Sequence, residues 1–373
     1  MIKTLLVANT DWYLYNFKLS LAQVLRDAGF EVVMVSPPGD YTARLTEKGF
    51  RHISWEVGRQ TVAPWKEIAS IAALRRIYSA EKPDLVQHFT IKPVLYGALA
   101  AKMSGVRHQL SSITGRGYAF LADEPKAKAI RPFVRQLYRL AFSTRGVRVI
   151  FENEEDRHFF VEGNFIKPDR TRLIEGVGVD TAIFTPAPEP EGIPVVGYVG
   201  RMLWDKGVGE LVEAARLVRS SLPLKLFLVG EPDEGNPTSI DLEVVKSWAA
   251  EGFVEWVGFE ENVKSVYDQC HIVALPSYGE GVPTVLLEAA ACGRAIVASD
   301  IPGCRAVVED GVNGLLVPVG DTQALAEALR KLISNNELRR QMGTAGRERA
   351  LRLFTKERIN QETLDLIREM LAE

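Results

Sequence analysis

Ile272-Val273-Ala274-Leu275-Pro276 runs directly into Ser277-Tyr278-Gly279-Glu280-Gly281-Val282-Pro283-Thr284-Val285-Leu286-Leu287-Glu288-Ala289. The first run reads as a strand and the run from Pro283 as a helix, so the stretch is one strand-turn-helix unit. Gly281 permits a tight turn, and Pro283 is placed to be the first helical residue, where its missing N–H costs nothing. Backbone amides near Val282, Thr284 and Val285 then point in front of the helix, which suits an anion. Glu280 lies ahead of the helix and Glu288 more than one turn inside it, roughly 10 Å apart at a rise of about 1.5 Å per residue. That separation is too long to share a proton. It suits two ends of one elongated ligand, with sugar hydroxyls at one end and ribose hydroxyls at the other. Two ordinary surface acids are the alternative, against which stands the apolar character of the helix around Glu288.

Working outward, the same alternation of strand-like and helical runs fills the chain. Strands are expected at Ile2–Ala8, Glu31–Ser36, His52–Glu56, Leu85–His88, Gln109–Ile113 and Val147–Phe151. In the second half they are expected at Val195–Gly200, Lys225–Gly230, Val254–Gly258, Ile272–Pro276 and Ala295–Ser299. Strands alternating with helices imply parallel sheets covered on both faces, an α/β fold. A chain of 373 residues exceeds the size at which one core stops growing. Pro186, Pro188, Pro190 and Pro194 fit neither a helix nor a central strand. The expected organisation is therefore two Rossmann-like, doubly wound domains facing a central cleft: residues 1–185, a linker at 186–194, and residues 195–355. A closing helix from Lys356 to the end is expected to cross back onto the first domain.

Forty-six per cent of the residues are hydrophobic and 25% charged, as in a soluble globular protein. The longest apolar run, Val94 to Ala101, is far short of the roughly 20 residues needed to span a bilayer. The N-terminus lacks a signal-peptide pattern, so the expected location is cytoplasmic. Cys270, Cys292 and Cys304 have neither disulfide-framework nor zinc-ligand spacing and read as structural. Residues 1–188 hold 26 Lys+Arg against 19 Asp+Glu, and residues 189–373 hold 19 against 29, so a net charge of −3 hides +7 and −10. The basic half is the candidate for meeting an anionic partner.

Val195–Gly200 leads into Arg201-Met202-Leu203-Trp204-Asp205-Lys206-Gly207. Ligands of doubly wound sheets lie beyond the carboxyl ends of the strands, where Arg201 and Lys206 fall. A guanidinium and an ammonium there suit a diphosphate, and Gly200 and Gly207 allow close backbone approach. Solvated surface cations are the bland alternative.

Gly-Arg with Lys-Gly shortly after, then Pro-Ser-x-x-Glu-Gly and a second Glu eight residues after the first, resembles the C-terminal domain of family 4 retaining glycosyltransferases of GT-B fold. Asn9-Thr10, Tyr15-Asn16-Phe17, Thr90-Ile91-Lys92-Pro93 and Gly115-Arg116-Gly117-Tyr118 resemble the subgroup that extends sugars on polyprenyl-diphosphate carriers. The resemblance spans nearly the whole chain. It implies that Arg201 and Lys206 bind the donor diphosphate, that Glu280 contacts the donor sugar, and that Glu288 contacts the ribose. Gly200, Ser277, Gly281, Val282, Pro283 and Thr284 would complete the donor site. Fixed cations and helix amides lower the barrier as charge builds on the leaving diphosphate. With no D-x-D motif in the chain, no metal or other cofactor is expected. A UDP-sugar is the family default.

Two departures stand out. Where many relatives have a Gly-Gly turn after the first strand, this chain has Asn9-Thr10-Asp11-Trp12. Where many have a T-x-H-G histidine after the fifth strand, it has Thr114 before Gly115. His88, with Lys92 nearby, is an alternative polar group at the cleft. On the acceptor side, Pro125 to Phe151 holds seven basic residues and no acidic one. Lys128, Arg131, Arg135 and Arg139 recur at helical spacing, with Phe133, Leu137, Leu140 and Phe142 available for burial or lipid contact. The expected partners are a nucleotide sugar, a polyprenyl-diphosphate-linked acceptor and the anionic inner face of the cell membrane; nucleic acid is not expected. A UDP-sugar 2-epimerase and a non-catalytic nucleotide-sugar-binding partner are the rival readings.

Overall fold

The computed structural model describes residues 1–58, 64–121 and 125–373. In the first half, the Val- and Leu-rich runs form β1 (Lys3–Val7), β2 (Glu31–Ser36), β3 (Arg51–Ser54), β4 (Leu85–Phe89), β5 (His108–Ile113), β6 (Val147–Phe151) and β7 (Thr171–Leu173). They pair in parallel in the order 3-2-1-4-5-6-7. Every residue of β4 and β5 is buried, because helices cover both faces of the sheet. Val7 aligns with Val35 on one side and His88 on the other, so β1, β2 and β4 end nearly level.

The second half repeats the plan with β8 (Val195–Val199), β9 (Lys225–Val229), β10 (Val254–Gly258), β11 (Ile272–Leu275), β12 (Ala295–Ser299) and β13 (Gly314–Val317). Their order is 10-9-8-11-12-13, again parallel. In each sheet the strand order reverses once, between β1 and β4 and between β8 and β11. Loops leaving two such strands diverge to opposite faces and open a crevice at their carboxyl ends.

The chain divides into one unit of Met1–Val177 with Ile359–Glu373 and a second of Gly178–Arg358. The helix Lys356–Ala372 contributes Ile359, Leu364, Ile367 and Met370 to the core that holds Leu6, Phe89, Leu110 and Ile150 of the first sheet. Arg148 and Arg172 of that sheet pair with Glu373 and Glu369 near the end of the chain.

The chain passes between units at 177/178 and 358/359, not in the proline-bearing stretch 186–194. That stretch is fastened within the second unit. Arg339, 3% exposed, forks onto Glu189 at 2.7 and 2.8 Å, and Arg294 donates to the Pro188 carbonyl. Prolines excluded a helix or a central strand there, but they are equally at home in extended chain pinned against a surface. Gly178, with φ of +74°, lies where a Cβ would approach Lys356 Cα to 2.8 Å, and beside it Val179 bridges to Thr355.

Candidate functional site

The reversal between β8 and β11 in the second unit gathers most of the candidate donor residues. Gly200-Arg201 leaves β8 and Pro276-Ser277 leaves β11. The two loops are stitched together: Tyr278 N–H donates to the Asp205 carbonyl at 2.9 Å and Ser277 Oγ to the same oxygen at 3.3 Å. Gly207 has φ of +70°, and a Cβ there would lie 2.1 Å from the Pro276 carbonyl oxygen, so only glycine admits the approach. Tyr198, buried in β8, donates its hydroxyl to the Arg201 carbonyl at 2.7 Å.

Both candidate cations are engaged by acids. Lys206 Nζ lies 2.6 Å from Glu280 Oε1, with the two side chains 19% and 15% exposed. Arg201 Nη1 lies 2.5 Å from Asp233 Oδ2, which also accepts from Asn236 Nδ2 at 3.2 Å. Arg201 itself is half exposed. Its segment is tied to the loop after β9 by Met202 N–H to the Glu231 carbonyl, Trp204 N–H to Thr238 and Ile240 N–H to Met202. The cations are therefore carried on a loop beyond the end of β8 that is hydrogen-bonded to the loops after β9 and β11. An anion entering the site must share them with carboxylates.

The helix after β11 begins at Thr284, one residue later than expected. Pro283 is its cap, with ψ of 119°, and its carbonyl accepts from the Leu286 and Leu287 amides. The extended dihedral of this residue, not its missing N–H, sets the entry of the chain. Gly281 is held from behind, since a Cβ on Gly303 would fall 1.5 Å from its carbonyl oxygen. Within the helix, Glu288 is half-buried and accepts from the Tyr267 hydroxyl at 2.8 Å. Burial pushes its carboxyl up to about 7, opposed by that hydrogen bond and by the charge of Lys356.

In the first unit, Asn9 and Thr10 follow β1, Lys92 lies just beyond β4, and Thr114 and Gly115 follow β5, so all five sit at one edge of the sheet. Thr10 caps a short helical turn, accepting from the Tyr13 amide at 3.1 Å. Lys92 is turned toward neighbouring chain, donating to the Gly58 carbonyl at 2.7 Å and pairing with Glu67 at 2.9 Å. His88 does not join this edge. It is fully buried in β4, bonded to the Tyr78 hydroxyl at 3.0 Å, and a Cβ on Gly97 would meet its ring at 2.4 Å. Burial pushes its imidazole down to about 3. The strand turns the His88 side chain into the core against Tyr78 and Gly97, a direction that its position in the sequence did not distinguish from the open strand end.

Sequence reasoning passed over Tyr198 and Tyr267, and it quoted Thr90 only as part of Thr90-Ile91-Lys92-Pro93, with no role of its own. The tyrosines are indistinguishable in sequence from core aromatics. Thr90 immediately follows β4 with φ of +66°, a left-handed conformation that a β-branched residue rarely takes and that no pattern announces.

The basic segment forms the helix Pro125–Ala141. Lys128, Arg135 and Arg139 are exposed, and Arg131 is half-buried with Nε on the Ala119 carbonyl at 2.8 Å. Arg135 and Arg139 lie over the Phe165 ring. The four apolar candidates part company: Phe142 is in the core and Leu137 packs against it, whereas Phe133 and Leu140 are 68% and 45% exposed. Among the described residues, no helix is long and apolar enough to cross a membrane. The three cysteines are free and buried.

Residues 3–153 match the family model described as glycosyl transferase 4-like, and residues 193–335 match that of glycosyl transferases group 1. The chain is 29% identical over 339 residues to the N,N'-diacetylbacillosaminyl-diphospho-undecaprenol alpha-1,3-N-acetylgalactosaminyltransferase of Campylobacter jejuni, covering 87% of this chain and 88% of that one. It is 24% identical to the capsular polysaccharide biosynthesis glycosyltransferase CapM of Staphylococcus aureus over 84% of each chain. Among solved structures, sucrose-phosphate synthase from Thermosynechococcus elongatus superposes with a TM-score of 0.80 at 22% identity over the full length of both chains. HepE of Anabaena in complex with UDP-glucose gives 0.78 at 20% identity, over 99% of this chain and 100% of that one. The two parallel-sheet, Rossmann-like domains are those of the GT-B fold.

Proposed function

Because the chain belongs to the glycosyltransferases that join a 4-like first domain to a group 1 second domain, we propose that it transfers a hexose or N-acetylhexosamine from a UDP-sugar to a polyprenyl-diphosphate-linked saccharide, with retention of configuration. The observation that carries this reading is the pairing of Lys206 with Glu280 at the strand reversal of the second sheet, beside Arg201 and the start of the Thr284–Ala291 helix. Cations and an acid meet where a diphosphate and its sugar would lie side by side.

In the proposed reaction the acceptor hydroxyl oxygen forms a bond to the anomeric carbon of the donor. The bond from that carbon to the diphosphate oxygen breaks, and its electron pair stays on the diphosphate. The hydroxyl proton passes to that departing oxygen on the same face, which gives retention. Arg201, Lys206 and the helix amides meet the charge that accumulates there, in a role that in other enzymes falls to a metal. Glu280 orients the sugar through its hydroxyls, and Glu288 holds the ribose. Gly200, Ser277, Gly281, Val282, Pro283 and Thr284 shape the backbone around the donor.

The acceptor assignment is supported by the lipid-linked substrate named in the Campylobacter relative and by the helix Pro125–Ala141. On that helix Phe133 and Leu140 are exposed beside Lys128, Arg135 and Arg139. We place this helix on the anionic inner face of the cell membrane, and Asn9, Thr10, Lys92, Thr114 and Gly115 on the acceptor or sugar side.

The test is mass spectrometry of lipid products after incubation with a panel of UDP-sugars and membrane extract containing diphosphate-linked saccharides, beside Glu280→Ala. A lipid that gains one hexose or N-acetylhexosamine, and fails to do so in the variant, supports the proposal. UDP binding without growth of any lipid sinks it.

A further inference from the structure

Tyr267 lies on the helix Val263–Gln269 with its side chain fully buried, and its hydroxyl reaches Glu288 Oε2 at 2.8 Å. The tyrosine is fixed at both ends. Arg294 Nε donates to its carbonyl at 2.8 Å, and its ring meets Phe184 at 6.1 Å between centroids. A hydroxyl so placed leaves Glu288 little freedom to rotate. It occupies one carboxylate oxygen, Oε2, and not the other. We propose that Tyr267 is a positioning residue for the nucleotide, presenting Glu288 so that its remaining oxygen accepts from the ribose hydroxyls of the donor. The inference rests on the assignment of Glu288 to the ribose made above.

The chemistry of the surroundings favours such an arrangement. The groups facing Glu288 are the Tyr267 hydroxyl from the preceding helix, Lys356 at the start of the last helix, and Cys292 just beyond its own helix. Burial pushes the Cys292 thiol up to about 12, so it is neutral at any ordinary pH, and Tyr267 is held well above its usual value and always donates. Burial would leave the Glu288 carboxyl protonated around neutrality. The hydrogen bond from Tyr267 and the charge of Lys356 work in the other direction and favour the carboxylate, which is the stronger acceptor for a diol. Without the Tyr267 hydroxyl, Glu288 would take up its proton at higher pH and its carboxyl would turn.

The experiment measures UDP and 2',3'-dideoxy-UDP binding by calorimetry from pH 6 to pH 8.5, for the full-length wild type, Tyr267→Phe, Glu288→Gln and the double variant. Donor KM and kcat follow in the same buffers. Wild type should prefer UDP over the dideoxy form, and more strongly as pH rises through about 7. Tyr267→Phe should weaken UDP binding on the order of tenfold, the worth of one hydrogen bond to a charged group. It should raise donor KM with kcat nearly unchanged, shift the pH dependence to higher pH, and leave dideoxy-UDP binding as in wild type. Glu288→Gln should flatten the pH dependence, and adding Tyr267→Phe to it should change little. Equal loss of both nucleotides in Tyr267→Phe, or an unshifted pH profile, would overturn the inference while leaving the donor site standing. Absence of UDP binding by wild type would overturn the donor-site reading itself. Should Tyr267→Phe fail to fold, the two nucleotides compared on wild type across the same pH range decide it: a preference independent of pH refutes the role given to the Glu288 carboxylate.

Discussion

Lys206 Nζ lies 2.6 Å from Glu280 Oε1, although 74 residues separate the two in the chain. The strand reversal of the second sheet brings their loops together. On the proposed reading, one of them holds the leaving diphosphate and the other the sugar that leaves it. Each side chain is the other's counterion, so removing either alone leaves a poorly hydrated charge. Lys206→Ala and Glu280→Ala should each lower transfer by about a hundredfold or more, in line with loss of one fixed group from a charge-stabilising site. The double variant should be little worse than the weaker single. Multiplicative losses in steady-state kinetics would mean that the two groups act separately.

The donor site as proposed places its positive charge on protein groups. Transfer should therefore persist in EDTA and gain nothing on addition of magnesium or manganese, while Arg201→Ala loses on the order of a hundredfold. A requirement for metal in the same assay would shift the stabilising role away from Arg201 and Lys206.

Phe133 and Leu140 are exposed on the helix that carries the basic residues. Phe133→Asp with Leu140→Asp should weaken association with vesicles containing phosphatidylglycerol at every salt concentration, since burial of one such side chain is worth about 1.5–3 kcal/mol. Arg135→Glu with Arg139→Glu should act mainly at low salt, at about 1 kcal/mol per lost cation. Cosedimentation that is the same for all the proteins would remove the helix from the membrane.

Arg339 and Glu189 form a two-bond ion pair that pins the proline-bearing stretch, with the guanidinium almost wholly buried. Breaking such a pair from the acidic side strands a buried cation. Glu189→Ala should cost about 3 kcal/mol, read as a lower urea midpoint, whereas Arg339→Met should cost less because the carboxylate it leaves unpaired is the more exposed partner.

Gly303→Ala places a methyl group 1.5 Å from the Gly281 carbonyl oxygen, so the loop carrying Glu280 must shift. It should lose nucleotide binding together with about 1–3 kcal/mol of stability. Gly252→Ala, at φ of +76° with nothing within 4 Å, should cost only about 1 kcal/mol and bind nucleotide normally.

The parallel-sheet architecture was legible because β2, β6, β10 and β12 are apolar runs bounded by turn residues, and their limits agree with the expected ones to the residue. β7 and β13 were not, since runs of three and four residues carry no period to read. The neighbourhood of Lys206 and Glu280 could be guessed from their place at strand ends. Their direct contact could not, because it depends on the Tyr278 amide meeting the Asp205 carbonyl across two loops. Asp233 lay in a loop whose sequence gave no shape, and only the paired backbone of 201–204 with 231–240 reveals it as the partner of Arg201. His88 was misplaced for a simpler reason: a residue at the end of a strand can face a helix as readily as the open edge.

The bridge between Val179 and Thr355 closes the two ends of the second unit upon each other. That unit is thus one continuous stretch of chain, whereas the first needs residues from both termini. During synthesis the second unit can finish folding while the first still lacks Ile359, Leu364, Ile367 and Met370 for its core. The part of the molecule made first is the last to be completed, and for that interval its unfinished apolar surface is open to chaperones. A stop codon near residue 358 would injure the N-terminal half of the protein rather than the C-terminal half.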